Sequence, residues 1–261
     1  MMVFDFAFVL VVLGAVTGVV WAVDRQFFQP RRRERGIAKE PLLVDYSRSF
    51  FPVIVIVLVL RSFLYEPFRI PSDSMMPTLI QGDFIFVNKW RYGLRLPVLN
   101  TRIVEIGKPK RGDVVVFRKP SDPSQVFIKR LVGLPGDAIR VSGTEVSVNG
   151  TPSRISAGQL YSGPKNEQYP FSHLGEEQLG DAAHGLLLDP ARPGMEGEWQ
   201  VPPGHYFMMG DNRNNSRDSR FPEVGFVPEE NFIGRAEAIW LSFNPGPGSF
   251  LLWDRMGTGI R

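Results

Sequence analysis

Two serines with a spacing suited to acyl transfer stand in the stretch "PSDSM", residues 71–75. Pro71 favours an extended conformation in the residue before it. If the chain continues extended, Ser72 and Ser74 point to one side and Asp73 points to the other. Two hydroxyls on one face could act as a nucleophile and an oxyanion donor. A linker rich in serine and proline would look the same, so this stretch alone leaves both interpretations open.

A base for such a serine is indicated by the stretch "FIKRLVGLPGD", residues 127–137. Lys129 and Arg130 interrupt an apolar strand, so one of them must face the interior or a cleft. Burial disfavours the ammonium form and lowers the pKa of a lysine, and a neutral lysine can take the proton of a serine hydroxyl. The alternative is an edge strand with two solvated charges. The three histidines are isolated in the sequence and are interpreted as surface residues: His173, His184 and His205.

A third stretch, "MMGDNRNNSRDSR" at residues 208–220, holds more hydrogen-bonding side chains than a turn needs. Such a density indicates a polar network that holds a catalytic group in place, although a solvated loop remains an alternative. Its charged members are Asp211, Arg213, Arg217, Asp218 and Arg220.

Two apolar segments precede these stretches and predict a membrane anchor over residues 1–65. The first, at about residues 3–23, is long enough to cross a bilayer and lacks the basic start of a cleaved signal peptide. The second, at about 49–64, is short unless Arg61 snorkels, and a buried core strand is its alternative. The connection 24–48 is basic, which predicts a cytoplasmic loop and an extracytoplasmic main domain. Its cations are Arg25, Arg31, Arg32, Arg33, Arg35, Lys39 and Arg48.

Short runs of β-branched and aromatic residues alternate with turn signals after residue 65, which predicts a mostly antiparallel all-β domain. Residues 143–203 contain more Gly, Glu, Gln and Pro, and are predicted to form an inserted smaller subdomain or cap. The predicted fold is therefore two N-terminal transmembrane helices followed by a β core at 66–142 and 204–253. The absence of cysteine excludes disulfides, thiolate nucleophiles and cysteine-bound metals, and the net charge of +3 is too small to indicate nucleic acid binding.

Taken together, the motifs resemble those of bacterial type I signal peptidase. "PSDSMMPTL", "GDFIFV", "RGDVVVF", "KRLVGLPGD" and "GDNRNNSRDSR" occur in the order and spacing of that family, over about residues 50–243 except for the insertion. The resemblance implies a Ser/Lys dyad with Ser74 as nucleophile and Lys129 as general base, and no metal or cofactor. It also implies an oxyanion hole from the Ser72 hydroxyl and the Ser74 backbone N–H, with Ser216 hydrogen-bonded to the lysine. The supporting polar residues would be Arg130, Asp211, Asp218 and Arg220.

The resemblance further implies cleavage after an Ala-X-Ala-like motif. A substrate bound as an added strand would point its first and third side chains into neighbouring pockets. By position, the walls of the first pocket would be Ile70, Met75, Leu79 and Ile128, and those of the third would include Phe68, Ile85 and Val116. The implied partners are signal peptides of exported preproteins, the lipid bilayer and the export machinery, at the inner membrane with the catalytic domain on the periplasmic side.

Two departures from the family pattern are visible. Asp73 stands where many members have glycine or serine, and the Asp73→Gly change is expected to be nearly silent if the side chain faces solvent. Asn214 stands where many members have aspartate. Two other functions also remain open: a self-cleaving Ser/Lys repressor, which two spans disfavour, and a membrane-anchored β-domain that binds or scaffolds without chemistry.

Overall fold

The computed structural model describes residues 6–36, 39–60, 64–95, 102–156, 158–243 and 250–261. The chain forms two compact units. One comprises Met1–Glu66 and Gly93–Ile106, and the other comprises Pro67–Tyr92 and Gly107–Arg261.

The N-terminal part is more helical than the sequence predicts. Helix α1 spans Phe6–Val23, a π-helical turn spans Asp24–Phe28, α2 spans Gln29–Glu34 and α3 spans Leu42–Val59. Helical structure therefore extends over most of the connection predicted at 24–48. Pro30 falls in the first turn of α2, where its missing N–H is tolerated. The apolar run "LLV" allows α3 to begin at Leu42 rather than near residue 49. Arg61 lies outside the described residues.

Two helical stretches, Phe8–Glu34 and Leu42–Val59, are long and apolar enough to cross a membrane. They pack through small residues on α1. A Cβ added at Gly18 would lie 2.7 Å from the Phe51 ring, and Trp21 packs against the same ring with centroids 5.7 Å apart. Two glycines four residues apart, Gly14 and Gly18, let the helices approach closely, as they do in many membrane helix pairs.

The rest of the described chain is built from short strands. In chain order these are β1 Tyr65–Arg69, β2 Asp83–Asn88, β3 Leu94–Arg95, β4 Arg102–Val104, β5 Val114–Lys119, β6 Asp122–Gly133, β7 Ala138–Ser142, β8 Glu145–Val148, β9 Thr151–Pro152, β10 Arg154–Ile155, β11 Gln159–Leu160, β12 His173–Leu179, β13 Ala182–Leu188, β14 Gly197–Gln200, β15 His205–Met209, β16 Val227–Pro228 and β17 Phe232–Ser242.

Most of these strands belong to three sheets. The largest has the order β1-β2-β17-β5-β6-β15-β16. Between β6 and β15 the chain forms two four-stranded sheets, β14-β7-β8-β9 and a sheet in which β12 pairs with β10, β11 and β13. β3 and β4 form a separate pair. The antiparallel β fold preceded by two apolar helices is confirmed.

Strand β6 carries Lys129 and Arg130 and lies in the middle of the large sheet. Its register pairs Val115 with Lys129 on one side and Met209 with Arg130 on the other. The alternative of an edge strand with two solvated charges is therefore wrong. Both side chains are buried, with exposed fractions of 4% for Lys129 and 1% for Arg130.

Candidate active site

The serine and the lysine meet although 55 residues separate them. Lys129 Nζ lies 2.6 Å from Ser74 Oγ and donates to the Ile128 carbonyl at 3.0 Å. Both side chains are buried. A buried amine in hydrogen-bond contact with a serine hydroxyl is the geometry that proton transfer between the two groups requires.

The surroundings of Lys129 favour its neutral form. Its pKa is lowered from 10.5 to about 8, mainly by burial; the charges of Asp218 and Asp211 raise the pKa, and that of the nearby Arg220 lowers it. The Phe127 ring also lies beside the amine, with its centroid 5.5 Å from Nζ. Desolvation dominates because the amine is fully enclosed, and an enclosed ammonium loses its hydration. The lysine can therefore act as a base at mildly alkaline pH.

The loop that carries Ser74 is a turn and not the extended segment that the sequence predicts. Met76 N–H donates to the Asp73 carbonyl, and Leu79 N–H donates to the Met75 carbonyl, so the chain curls after Asp73. The two serine side chains nevertheless point to the same side, as predicted, because Ser72 Oγ lies 3.3 Å from Ser74 Oγ. Ser72 is exposed, so a substrate can reach its hydroxyl.

The stretch after β15 is tied to β6 by a buried ion pair. Arg130 donates through Nε and Nη2 to the two Asp211 oxygens at 2.7 and 2.6 Å, and through Nη1 to the Gly112 carbonyl at 2.7 Å. Thr78 Oγ1 donates to Asp211 at 2.5 Å, which attaches the serine loop to the same carboxylate. Burial raises the pKa of Asp211, but the charge and hydrogen bonds of Arg130 outweigh it and hold the pKa below its usual value. The predicted polar network is present at this position.

A second buried ion pair shapes the loop itself. Arg220 Nε and Nη2 each lie 2.8 Å from an Asp218 oxygen, and Nη2 also donates to the Arg213 carbonyl at 2.7 Å. Asp218 in turn accepts from the Gly210 N–H at 2.9 Å. The pair fixes the chain from Gly210 to Arg220, so the alternative of a solvated loop is wrong.

Ser216 lies beside the dyad without the predicted hydrogen bond to Lys129. Its Oγ is buried and has no partner within the described part of the chain. It packs against Gly210, where an added Cβ would lie 2.2 Å from Ser216 Oγ and 2.5 Å from the Ser74 carbonyl oxygen. Gly210 is therefore a site residue that sequence reasoning missed. At this position there is no room for a Cβ because two loops approach each other, and the only sign of this in the sequence is the glycine itself.

The seven residues proposed to bind substrate lie together in the structure. They belong to one hydrophobic cluster with β2, β5 and β17, and most are nearly inaccessible to solvent. The members are Phe68, Ile70, Met75, Leu79, Ile85, Val116 and Ile128. The cluster includes Ile128, which precedes Lys129 on β6, and Met75, which follows Ser74, so it places apolar side chains next to the serine and the lysine.

Three further residues near the site were not predicted to belong to it: Asn212, His184 and Glu177. Asn212 donates through its backbone N–H to the Ser74 carbonyl and through Nδ2 to the Asp73 carbonyl, both at 3.1 Å. The interpretation of His184 as a surface residue is wrong. Its ring is buried, and its Nε2 lies 3.2 Å from Glu177 and 3.6 Å from Asp211. These contacts join strands β12 and β13 to the stretch after β15, and only the tertiary fold brings them about.

Comparison with known proteins identifies the family. A family model described as signal peptidase, peptidase S26, matches residues 43–241. The chain belongs to this family. A signal peptidase I of Pseudomonas fluorescens is 46% identical over 267 residues, covering 92% of this chain and 93% of that protein. Signal peptidase I of Pseudomonas aeruginosa is 46% identical over 286 residues, covering 98% of this chain and 99% of that protein.

One solved structure, a signal peptidase I of Enterococcus faecalis V583, has 28% sequence identity and a TM-score of 0.31, covering 50% of this chain and 98% of that one. The family relationship rests on the sequence matches. Members of this family are serine endopeptidases that remove signal peptides from preproteins and are anchored in a membrane, and this chain shares that activity. The alternatives of a scaffold without chemistry and of a self-cleaving repressor are therefore wrong.

Proposed function

We propose that Ser74 and Lys129 form the catalytic dyad of this signal peptidase and that the enzyme cuts after an Ala-X-Ala-like motif. The observation that carries the proposal is the 2.6 Å contact between Ser74 Oγ and a buried lysine amine. No histidine offers an equivalent contact among the described residues, because the buried His184 faces Glu177 and Asp211 instead.

The chemistry follows from the position of the amine. Neutral Lys129 takes the proton of Ser74 while Oγ attacks the scissile carbonyl carbon, which gives a tetrahedral oxyanion. The Ser72 hydroxyl and the Ser74 backbone N–H donate to that oxyanion. Collapse breaks the C–N bond, and the lysine ammonium returns its proton to the leaving amine. Water, deprotonated by the same amine, then attacks the acyl-enzyme; as the C–O bond to Ser74 breaks, the lysine ammonium returns the proton to Ser74 Oγ.

Selection of small side chains is consistent with the apolar cluster next to the serine and the lysine. A signal peptide bound as a strand places its first and third residues before the cut on one face. The side chains in that cluster, among them Ile70 and Ile128, are already close-packed, so little space remains next to Ser74. A methyl group can enter such a space without forcing the core apart, whereas a larger side chain would overpack it.

The same proposal assigns the parts of the chain. Residues 1–65 are the membrane anchor, 66–142 and 204–253 the catalytic core, and 143–203 the insertion. The basic residues between the two helices favour the cytoplasmic side of the inner membrane for that segment and the periplasmic side for the core. The lipid bilayer and the export machinery are the partners this placement implies.

Cleavage of a peptide with an Ala-X-Ala site tests the proposal. The full-length enzyme in detergent should cut it, and Ser74→Ala and Lys129→Met should not, although both keep their folds because each change removes a single polar group. His173→Gln and His205→Gln serve as matched controls and should retain activity. Cleavage by Ser74→Ala at the rate of the unchanged enzyme would reject the dyad.

A further inference from the structure

Asp73, the residue before the nucleophile, does not face solvent, contrary to the expectation from the sequence. Lys165 Nζ contacts its two carboxylate oxygens at 2.9 and 3.0 Å, Gln81 N–H donates to it at 3.0 Å and the Tyr169 hydroxyl donates at 3.3 Å. The side chains of Asp73 and Lys165 are only 10% and 8% exposed. This ion pair joins the serine loop to the segment between β11 and β12.

The backbone at Lys165 adopts a conformation that residues other than glycine rarely take. Its φ is 63° and its ψ is 20°, in the left-handed region. The turn is closed by the Tyr161 hydroxyl, which donates to the Pro164 carbonyl at 2.9 Å. A residue that is not glycine persists in this region where the surrounding structure determines it, and such residues cluster at functional positions. The turn therefore fixes where the Lys165 side chain leaves the backbone, and the contacts of its ammonium with Asp73 and Gln81 fix its other end.

The serine loop is held from a second side by the stretch that follows β15. Asn212 binds the carbonyls of Asp73 and Ser74, as described above. Asn215 Nδ2 donates to the Tyr169 hydroxyl at 3.0 Å, which links this stretch to the Lys165 turn. Ser74 thus sits on a loop that is held between two supports, and the supports also contact each other.

We propose that Lys165 and Tyr169 are positioning residues that fix Ser74 against Lys129, acting through the carboxylate of Asp73. The inference rests on the dyad proposed above and assigns a role in catalysis to the insertion. Loss of the Lys165 cation leaves a buried carboxylate without its main partner, and the loop that carries it must move to regain solvation. A displacement of about 1 Å at the nucleophile can lower the rate of an enzyme by a factor on the order of 10².

The test compares kcat, KM and the pH profile of full-length variants on an Ala-X-Ala peptide. Lys165→Met and Asp73→Gly should each lower kcat at least tenfold and leave KM within threefold. The double variant should be no slower than the slower single variant, because the two changes remove one shared interaction. Lys165→Arg, which keeps the cation, should retain kcat within threefold.

The matched control is Arg111→Met. It also removes the cation of a largely buried ion pair, with Asp137 at 2.9 Å, and the hydrogen bonds of that guanidinium go to Asp137 and the Val132 carbonyl instead of to the serine loop. It should lower the urea midpoint of unfolding and leave kcat per folded enzyme unchanged. Equal kcat in Lys165→Met and Arg111→Met would show that the Asp73–Lys165 pair only supports the fold, and would overturn the inference.

The pH profile and a milder variant separate positioning from an effect of charge and from misfolding. The acidic limb of kcat/KM should keep its position in Lys165→Met; a limb moved to higher pH would show that Asp73 acts through its charge on Lys129 and would overturn a positioning role. If Lys165→Met does not fold, Tyr169→Phe is used instead, because it removes one hydroxyl without changing the ring. A kcat of Tyr169→Phe lowered threefold or more supports the inference, and an unchanged kcat rejects it. Activity in Ser74→Ala would instead reject the dyad itself.

Discussion

At the scale of single residues, the proposed base is an amine whose pKa is lowered by burial. Because the pKa of Lys129 is lowered to about 8, the active form is the minor one at neutral pH. We expect kcat/KM to rise about tenfold per pH unit up to about pH 8 and then to level off. A stopped assay over about pH 5.5–9.5 measures this pH dependence, with an Ala-X-Ala peptide whose flanking residues are uncharged. A limb near pH 6.5 would indicate a histidine, and a limb near pH 10.5 would indicate a solvated lysine.

The same burial carries a cost in stability. The pKa of Lys129 is lower in the folded protein than in the unfolded chain, so the unfolded chain binds the proton more tightly, and stability is lost as the pH falls from about 10.5 to about 8. Below that window the full loss is on the order of 3 kcal/mol. Lys129→Met should therefore be more stable than the unchanged enzyme at pH 7 by up to this amount, with the difference vanishing near pH 11. Urea unfolding at both pH values measures the difference, and a less stable variant at pH 7 would contradict it.

Ser72 offers a separate test at this scale, because its hydroxyl lies 3.3 Å from the nucleophile and is exposed to a substrate. Ser72→Ala should slow kcat by ~10²–10³, the usual effect of removing an oxyanion donor. The fold should be unaffected, as judged by circular dichroism. Ser124→Ala, which removes an exposed hydroxyl that donates to Asp122 at 2.6 Å, is the control. A rate within threefold of the unchanged enzyme would assign the oxyanion contact to another donor.

At the scale of elements, the close approach of the serine loop to the end of β15 depends on Gly210. A methyl group there would lie 2.5 Å from the Ser74 carbonyl oxygen, and backbone cannot give way as a flexible side chain can. Gly210→Ala should lower kcat by at least tenfold because it pushes Ser74 away from Lys129. Gly259→Ala is the matched control, since its nearest neighbour would be 3.9 Å away. Steady-state kinetics on folded protein decides, and equal rates would show that the loops separate without moving the dyad.

The elements also show what the sequence could and could not predict. The strands around Lys129 were predictable, because runs of β-branched and aromatic residues bounded by turn signals favour strands. The register that buries the lysine beside Ser74 depends on pairing with β5 and β15, and no local pattern encodes it. The partner of Asp73 was not predictable either, since Lys165 stands 92 residues away in a turn of ordinary composition. The prediction that "PSDSM" is extended was wrong, because the Met76 N–H donates a hydrogen bond to the Asp73 carbonyl and so closes a turn.

At the scale of the whole molecule, membrane orientation follows from the charge asymmetry between the two spanning helices. Basic residues that flank short membrane connections stay on the cytoplasmic side, so residues 35–41, which lie between α2 and α3, should be shielded from reagents added outside.

The chain contains no cysteine, so a single introduced thiol can be labelled without background. Lys39 and Arg154 are both exposed, one between the helices and the other in the insertion. A membrane-impermeant maleimide added to spheroplasts should therefore label Arg154→Cys at once. It should label Lys39→Cys only after detergent opens the membrane, because the proposed topology places that thiol on the cytoplasmic side. Both variants should cut the Ala-X-Ala peptide, which shows that the labelled molecules are folded. Labelling of Lys39→Cys but not Arg154→Cys in closed spheroplasts would invert the proposed topology and place the dyad on the cytoplasmic side.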